Sequence, residues 1–292
     1  MSKIEDALIK AKQSRASSHT SLKVIKEQKD PTEARGLKVL DLDSSGVQHE
    51  ASANAIALMD NGDILDNKEL SELRIIYSDM ADNKIANTFR DLRTKLIHKS
   101  QGKNFITMVT SCVDGNDSAM TSLNISTAFS FDESKTSLLI DCNLNNPKLD
   151  SLLGMETDKG LTDYLENESI KVDTIMHKTG IKRLKIIPAG MSRETATEYF
   201  TSLRMRQLMG DLLSRYSDRY IFLDTAPITE SADTRILVDL CDYVILVVPY
   251  SLATRNKVQA AVEGIGQEKL LGVVFTEIPK PPKFSLSNLF KF

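Results

Sequence analysis

The 292-residue chain has no tryptophan, only three cysteines and only four histidines. Cys112, Cys142 and Cys241 are odd in number, far apart, and each at or near the end of an apolar run. That pattern excludes a disulfide framework and a zinc site built on paired cysteines, and it reads as buried, inert thiols. His19, His49, His98 and His177 are equally dispersed and give no metal-ligand spacing. Neither sign of charge dominates: 37 Lys and Arg stand against 40 Asp and Glu, a net charge of -3. So even a balance gives no reason to expect a nucleic-acid partner. No window approaches the roughly 20 apolar residues that span a bilayer, and the opening MSKIEDALIKAKQSR has charges where a secretion signal has its apolar core. A cytoplasmic protein is expected.

What is present is a change of pattern along the chain. Residues 1–15 place Ile4, Ala7, Leu8 and Ala11 at helical spacing and predict an amphipathic helix. Residues 16–62 are rich in Ser, Lys, Asp and Asn with little periodicity, which reads as a linker or loosely ordered arm. A helical lead-in is expected over 63–103, an α/β domain over 104–278 and a flexible tail over 279–292. Within the α/β domain, apolar runs at 105–110, 136–141, 184–188, 220–224, 243–248 and 271–276 alternate with helical stretches at 119–131, 203–214, 234–240 and 253–265. Such alternation predicts a doubly wound, mostly parallel sheet, a class that includes the P-loop NTPase type, with an N-terminal helical arm. Sheets of this kind bind ligands beyond the carboxyl ends of their strands, so the segments after the first, second and fourth runs are the candidate site.

An intact phosphate loop, GxxxxGK followed by Ser or Thr, works through three parts. Glycines let backbone N–H groups approach phosphate, the Lys neutralises it, and the hydroxyl holds magnesium. The segment after the first run, TSCVDGNDSAMTSLNIS, has no such Lys. After the second and fourth runs, LLIDCNLNNPKLDSLLGM and YIFLDTAPITESADT each deliver an Asp to a strand end, Asp141 and Asp224. These two carboxylates are the candidate metal ligands and, if the site is active, the candidate catalytic residues. Asp at a strand end also caps the following turn or helix, and that alternative stands beside the metal role for both.

In the same order along the chain, these segments resemble the bacterial tyrosine autokinases of capsule and exopolysaccharide synthesis, within the MinD and ParA-like branch of P-loop proteins. LLIDCNLNNPKLDSLLGM is similar to that family's LLIDxDxRxPxLHxLLGL. GLTDYL at 160–165 is similar to GLSDYL, IPAG at 187–190 to LPAG, and IFLDTAP at 221–227 to IIIDTPP. Read loosely, LRMRQLM at 203–209, with Arg204 and Arg206, resembles the family's helix containing RM. The N-terminal helix and residues 61–79 further resemble the exosortase-linked variant. NTFRDLRTKL resembles the family's ExxRxxR oligomerisation motif, keeping Arg90 and Arg93 but carrying Asn87 where the family has Glu. The resemblance implies an interface role for the two arginines, while Arg at i and i+3 also reads as a solvated helix face.

The departures concern the chemistry. Aligned without a gap through Asn124, the family's PGEGKS becomes Asp114, Gly115, Asn116, Asp117, Ser118 and Ala119, so Ser replaces the Lys and Ala the magnesium hydroxyl. A one-residue shift restores a hydroxyl but puts Asp117 at the lysine position. A charge-assisted contact is worth about 1.5–3 kcal/mol. A carboxylate about 4 Å from phosphate repels by about 4 kcal/mol at an effective dielectric near 20. Gly115, Asn116, Asp117, Ser118 and Ala119 therefore read as a degenerate phosphate loop, and no cofactor is expected unless the loop still takes ATP and Mg. Asn143 and Asn145 replace the family's second carboxylate and its Arg, and no tyrosine follows Tyr250. The expectation is an interaction protein without ATP hydrolysis. Its implied partners are a membrane-embedded chain-length regulator or an active kinase paralogue, possibly at the inner face of the membrane, and a homo-oligomer is also implied. The alternatives are an active tyrosine autokinase in which Lys103, Lys135 or Lys148 replaces the missing lysine, and a MinD/ParA-like positioning ATPase.

Overall fold

The computed structural model describes Ile56, Met59 and residues 62–276, apart from Asn116, Ser251 and the short stretches 81–83, 192–195 and 216–217. The expected helix at 1–15, nearly all of the 16–62 arm and the 279–292 tail lie outside the described residues. Two helices, α1 (Asn67–Glu72) and α2 (Lys84–Ser100), lead into β1 (Ile106–Ser111), α3 (Asp117–Phe129) and β2 (Thr136–Asp141). Then come α4 (Leu149–Leu153), α5 (Leu161–Glu166), β3 (His177–Lys178), β4 (Leu184–Ile187), α6 (Ala196–Thr201) and α7 (Leu203–Arg215). The chain continues through β5 (Arg219–Asp224), α8 (Ala232–Asp239), β6 (Tyr243–Pro249), α9 (Arg255–Ile265) and β7 (Leu270–Thr276).

The seven strands form one sheet in the order β3-β4-β2-β5-β1-β6-β7. Every neighbouring pair is parallel except β3–β4. Each residue of β1, β2 and β5 is buried, as an uninterrupted apolar run requires when helices cover both faces. One apolar layer joins the sheet to α5, α7, α8 and α9 through residues such as Leu161, Met205, Leu237 and Ile265. The other joins it to α1, α2, α3 and α4 through Leu70, Leu96, Leu123 and Leu149. The expected doubly wound sheet is therefore present, and all six predicted strands fall in it.

Helix α3 is packed with small polar residues, and their burial has a local explanation. Ser122, Ser126 and Thr127 donate to the carbonyls of Ser118, Ser126's own preceding turn at Ser122, and Leu123, at 2.8, 2.7 and 2.8 Å. Hydroxyls satisfied on the backbone one turn back let a short-side-chain helix lie close to the strands. Asn124, also buried, accepts from the Ile76 N–H at 2.9 Å and donates to the Arg74 carbonyl at 3.2 Å, tying the lead-in to the core.

Two of the family-like segments meet in a clasp at the strand ends. The Leu161 and Thr162 N–H groups donate to the carbonyls of Pro188 and Ala189 at 2.8 and 3.0 Å. The Gly160 N–H donates to Asp163 Oδ2 at 2.8 Å, and Gly190 takes a φ of 82°. A Cβ on Gly160 would lie 2.3 Å from both the Pro188 oxygen and the Gly190 nitrogen. Arg204 then pins the end of α5, donating to the carbonyls of Tyr164, Asn167 and Ile170 with its guanidinium 4.1 Å from the Tyr164 ring centroid. So GLTDYL, IPAG and Arg204 read as packing requirements. Helices α4, α5 and α6 and strand β3 have no counterpart in the sequence reading, because two to six residues are too few to establish a period.

Gly160→Ala is expected to destabilise the fold by about 3 kcal/mol or more, since backbone on both sides must move. Gly210→Ala, in α7 with open space around the added methyl, is expected to be neutral or stabilising by up to about 1 kcal/mol. Urea denaturation midpoints of the two variants check the pair.

Candidate functional site

Parallel pairing of β2 and β5 sets Asp141 and Asp224 directly opposite one another at the strand ends. They are 0% and 1% exposed. Asp141 Oδ1 accepts from the Asn143 N–H at 3.0 Å, and its Oδ2 from the Lys148 and Leu149 N–H groups at 3.2 and 3.3 Å. It thus closes the turn after β2 and caps the start of α4, as the capping alternative anticipated. Asp224 Oδ1 accepts from the Ser122 hydroxyl at 2.8 Å, whereas its Oδ2 is buried with no hydrogen-bond partner. Ser122 has a single proton, which the Ser118 carbonyl also attracts at 2.8 Å.

Burial raises the Asp141 carboxyl to about 6, against the opposing pull of the three N–H donors, and the Asp150 charge adds to the rise. Burial also holds Asp224 well above the usual carboxylate range, and the neighbouring Asp141 charge adds to it. The hydroxyls of Ser122 and Ser118 and the charge of Lys148 work in the other direction. Two carboxyl groups buried opposite one another on neighbouring strands favour keeping a proton over holding two charges.

Of the loop residues singled out in the sequence, Gly115 is exposed, Ser118 and Ala119 are buried, and Asn116 lies outside the described residues. Asp117 opens α3. Lys148 crosses to this loop: its Nζ donates to the Gly115 carbonyl at 2.8 Å. Lys103 and Lys135 do not approach it. They precede β1 and β2 and so lie at the opposite, amino end of the sheet, where the Lys135 ammonium sits 5.8 Å from the Tyr220 ring centroid. Sequence reasoning missed Ser122, whose only visible signal was a hydroxyl one helical turn beyond Ser118.

Arg90 and Arg93 are held inside the chain. Arg90 donates to Asn87 Oδ1 at 2.9 Å and to the Ser78 carbonyl at 2.6 Å. Arg93 pairs with Asp132 at 3.3 Å and lies 5.9 Å from the Phe129 ring centroid. All three cysteines are buried, as expected, and burial raises each thiol pKa, which keeps them unreactive. Among the described residues no group of three or more His, Cys, Asp or Glu is placed to hold a metal, and no helix is long and apolar enough to cross a membrane. A pocket of about 260 Å³ lined by Leu70, Phe131 and Arg183 lies at the amino end of the sheet, remote from the acid pair.

A parallel sheet in this order, with a loop-to-helix turn after β1 and an Asp ending each of β2 and β5, defines a P-loop-type α/β domain. No protein-family model matches the chain. The chain is 30% identical over 185 residues to the tyrosine-protein kinase CpsD of Streptococcus pneumoniae, covering 62% of this chain and 80% of that one. It is 28% identical over 189 residues to the tyrosine-protein kinase YwqD of Bacillus subtilis, covering 64% and 78%. Against the tyrosine-protein kinase wzc of Salmonella typhi the identity is 26% over 194 residues, which is 65% of this chain but only 26% of that longer protein. Among solved structures, the chimeric protein CapA2B2 aligns at a TM-score of 0.64 and 21% identity, over 80% of this chain and 100% of that one. The kinase domain of the Escherichia coli tyrosine kinase ETK aligns at 0.62 and 18%, over 80% and 97%. At those identities the structural likeness shows the fold. The chain belongs to the bacterial tyrosine-protein kinase family.

Because the fold raises the carboxyl pKa values, the native state keeps protons that the unfolded chain has lost. Stability is then expected to fall as pH climbs from about 4 through about 6. Asp224→Asn removes one charge from the pair. It is expected to raise stability by about 1–3 kcal/mol at pH near 7.5, with little change near pH 4.5. Chemical denaturation at the two pH values measures both.

Proposed function

We propose that this chain regulates exopolysaccharide assembly or export through protein–protein contacts and does not transfer phosphoryl groups. Phosphoryl transfer depends on positioning and on cations that neutralise the transferred group. The observation that carries the reading is the composition of the loop at the acid pair. Ser118 stands at the family's lysine position, and Ala119, 1% exposed, stands at its hydroxyl position, packed in the apolar layer with Leu123.

The family implies ATP and magnesium, and the residues present do not fit them. Both Asp141 oxygens are occupied by backbone N–H groups, Asn143 replaces the second carboxylate, and Asp224 faces Asp141 across a space that favours a proton. Asp114 adds an acid beside Gly115, whose N–H it accepts at 2.9 Å. No step is therefore derived through a nucleotide. The partners proposed are a membrane-embedded polysaccharide chain-length regulator or an active kinase paralogue, met in the cytoplasm or at the inner face of the membrane. Arg90 and Arg93 on α2 are proposed to retain part of an oligomer contact, in addition to the partners that each has within the chain.

A second reading, an active tyrosine autokinase, is favoured by one observation: the Lys148 ammonium at the Gly115 carbonyl puts a cation beside the loop. The two readings separate in a thermal-stability titration with ATP and magnesium, since a ligand of the native state must raise the melting temperature. The expected result is no shift at millimolar ATP, and a gain of binding when Asp117→Gly is combined with Ser118→Lys. A saturating shift in the unaltered chain, with phosphate release, supports the autokinase instead.

A further inference from the structure

Beside the buried acid pair, the Lys148 side chain brings a cation to the loop after β1. Lys148 touches the site twice. Its backbone N–H donates to Asp141 Oδ2 at 3.2 Å, and its side-chain Nζ donates to the Gly115 carbonyl at 2.8 Å. One residue therefore joins the turn after β2 to the phosphate-loop remnant, 33 positions away in sequence. The Lys148 charge also acts on Asp224, whose Oδ2 is buried with no partner of its own. A hydrogen bond from a charged donor is among the stronger kinds, and this one is made to a loop otherwise held locally by the Asp114 side chain.

The orientation of the Gly115 peptide matters as well. A phosphate cradle works by turning backbone N–H groups toward an anion. Here the Gly115 carbonyl is turned to a cation, and the Gly115 N–H is taken up by Asp114 Oδ1. The two peptide groups on either side of Gly115 thus offer a carbonyl to an ammonium and give up an N–H to a side-chain carboxylate.

We infer that Lys148 latches the loop remnant onto the Asp141 turn, holding the turn through its backbone N–H and the loop through its ammonium group. The inference rests on the regulatory reading, and it specifies what holds the loop: a tethered side chain that is always present.

The test is amide hydrogen exchange on the full chain without nucleotide, comparing peptides that span 112–120 in the unaltered protein, in Lys148→Met and in Lys148→Arg. The latch predicts that Lys148→Met speeds exchange in this segment by about tenfold or more, while peptides from β4 and β6 are unchanged. Arg, which keeps a charged donor of similar reach, is expected to restore most of the protection. Exchange in Lys148→Met within about twofold of the unaltered chain overturns the inference, because the contact then holds nothing. So does a loss of protection throughout the sheet, since a half-buried side chain acting on one loop does not support the whole core. No ATP enters this assay. Nucleotide binding by the unaltered chain would sink the regulatory reading through the titration above, and an unprotected loop would sink the latch alone.

Discussion

Two buried aspartates ending adjacent parallel strands set the terms for the whole carboxyl end of this sheet. The register of β2 against β5 puts Asp141 opposite Asp224 and buries both. Like charges buried opposite one another are too costly to keep unless something neutralises them. The surrounding chain answers with donors. Three backbone N–H groups converge on Asp141, the Ser122 hydroxyl serves Asp224, and the Lys148 ammonium lies beyond. The turn after β2, the start of α4, the small-residue face of α3 and the loop at Gly115 are all arranged around that pair.

The family likeness divides along physical lines. Segments whose residues serve packing are kept: Gly160 and Gly190 touch backbone to backbone, and Arg204 collects the carbonyls at the end of α5. The proposed regulatory reading rests on other positions, Ser118 and Ala119 in the loop and Asn143 after β2. A glycine in a clasp is fixed by sterics whatever the protein does.

The sheet was legible from sequence because strands buried on both faces write themselves as unbroken apolar runs, such as TSLLID and YVILVVP. The parallel, doubly wound character came with the alternation of strand and helix, whereas the strand order emerged only in the structure. The small elements were not legible: α4 and α5 are a turn or two long, and β3 is two residues pairing antiparallel at the edge. At the site, Asp141 and Asp224 were visible as strand-end acids, but their mutual burial was not, since it depends on the register between strands 83 positions apart. Lys148 was one of three lysines proposed on proximity in sequence. Topology chose among them, because Lys103 and Lys135 enter strands at the amino end and Lys148 leaves one at the carboxyl end. Arg90 and Arg93 were read as either a subunit contact or a solvated face. Their partners, the Ser78 carbonyl and Asp132, lie in neighbouring segments that a helical wheel does not include.

Burial of both carboxyl groups side by side calls for a proton held on this acid pair, with internal donors around it. Infrared spectroscopy of the unaltered protein, freed of divalent ions at neutral pH, reads it directly through the carbonyl stretch of a protonated buried carboxyl group. The account predicts that the band is present and disappears in the Asp224→Asn variant or, if Asp141 then holds the proton, shifts. Two fully ionised carboxylates at neutral pH, with the fold intact, would contradict it.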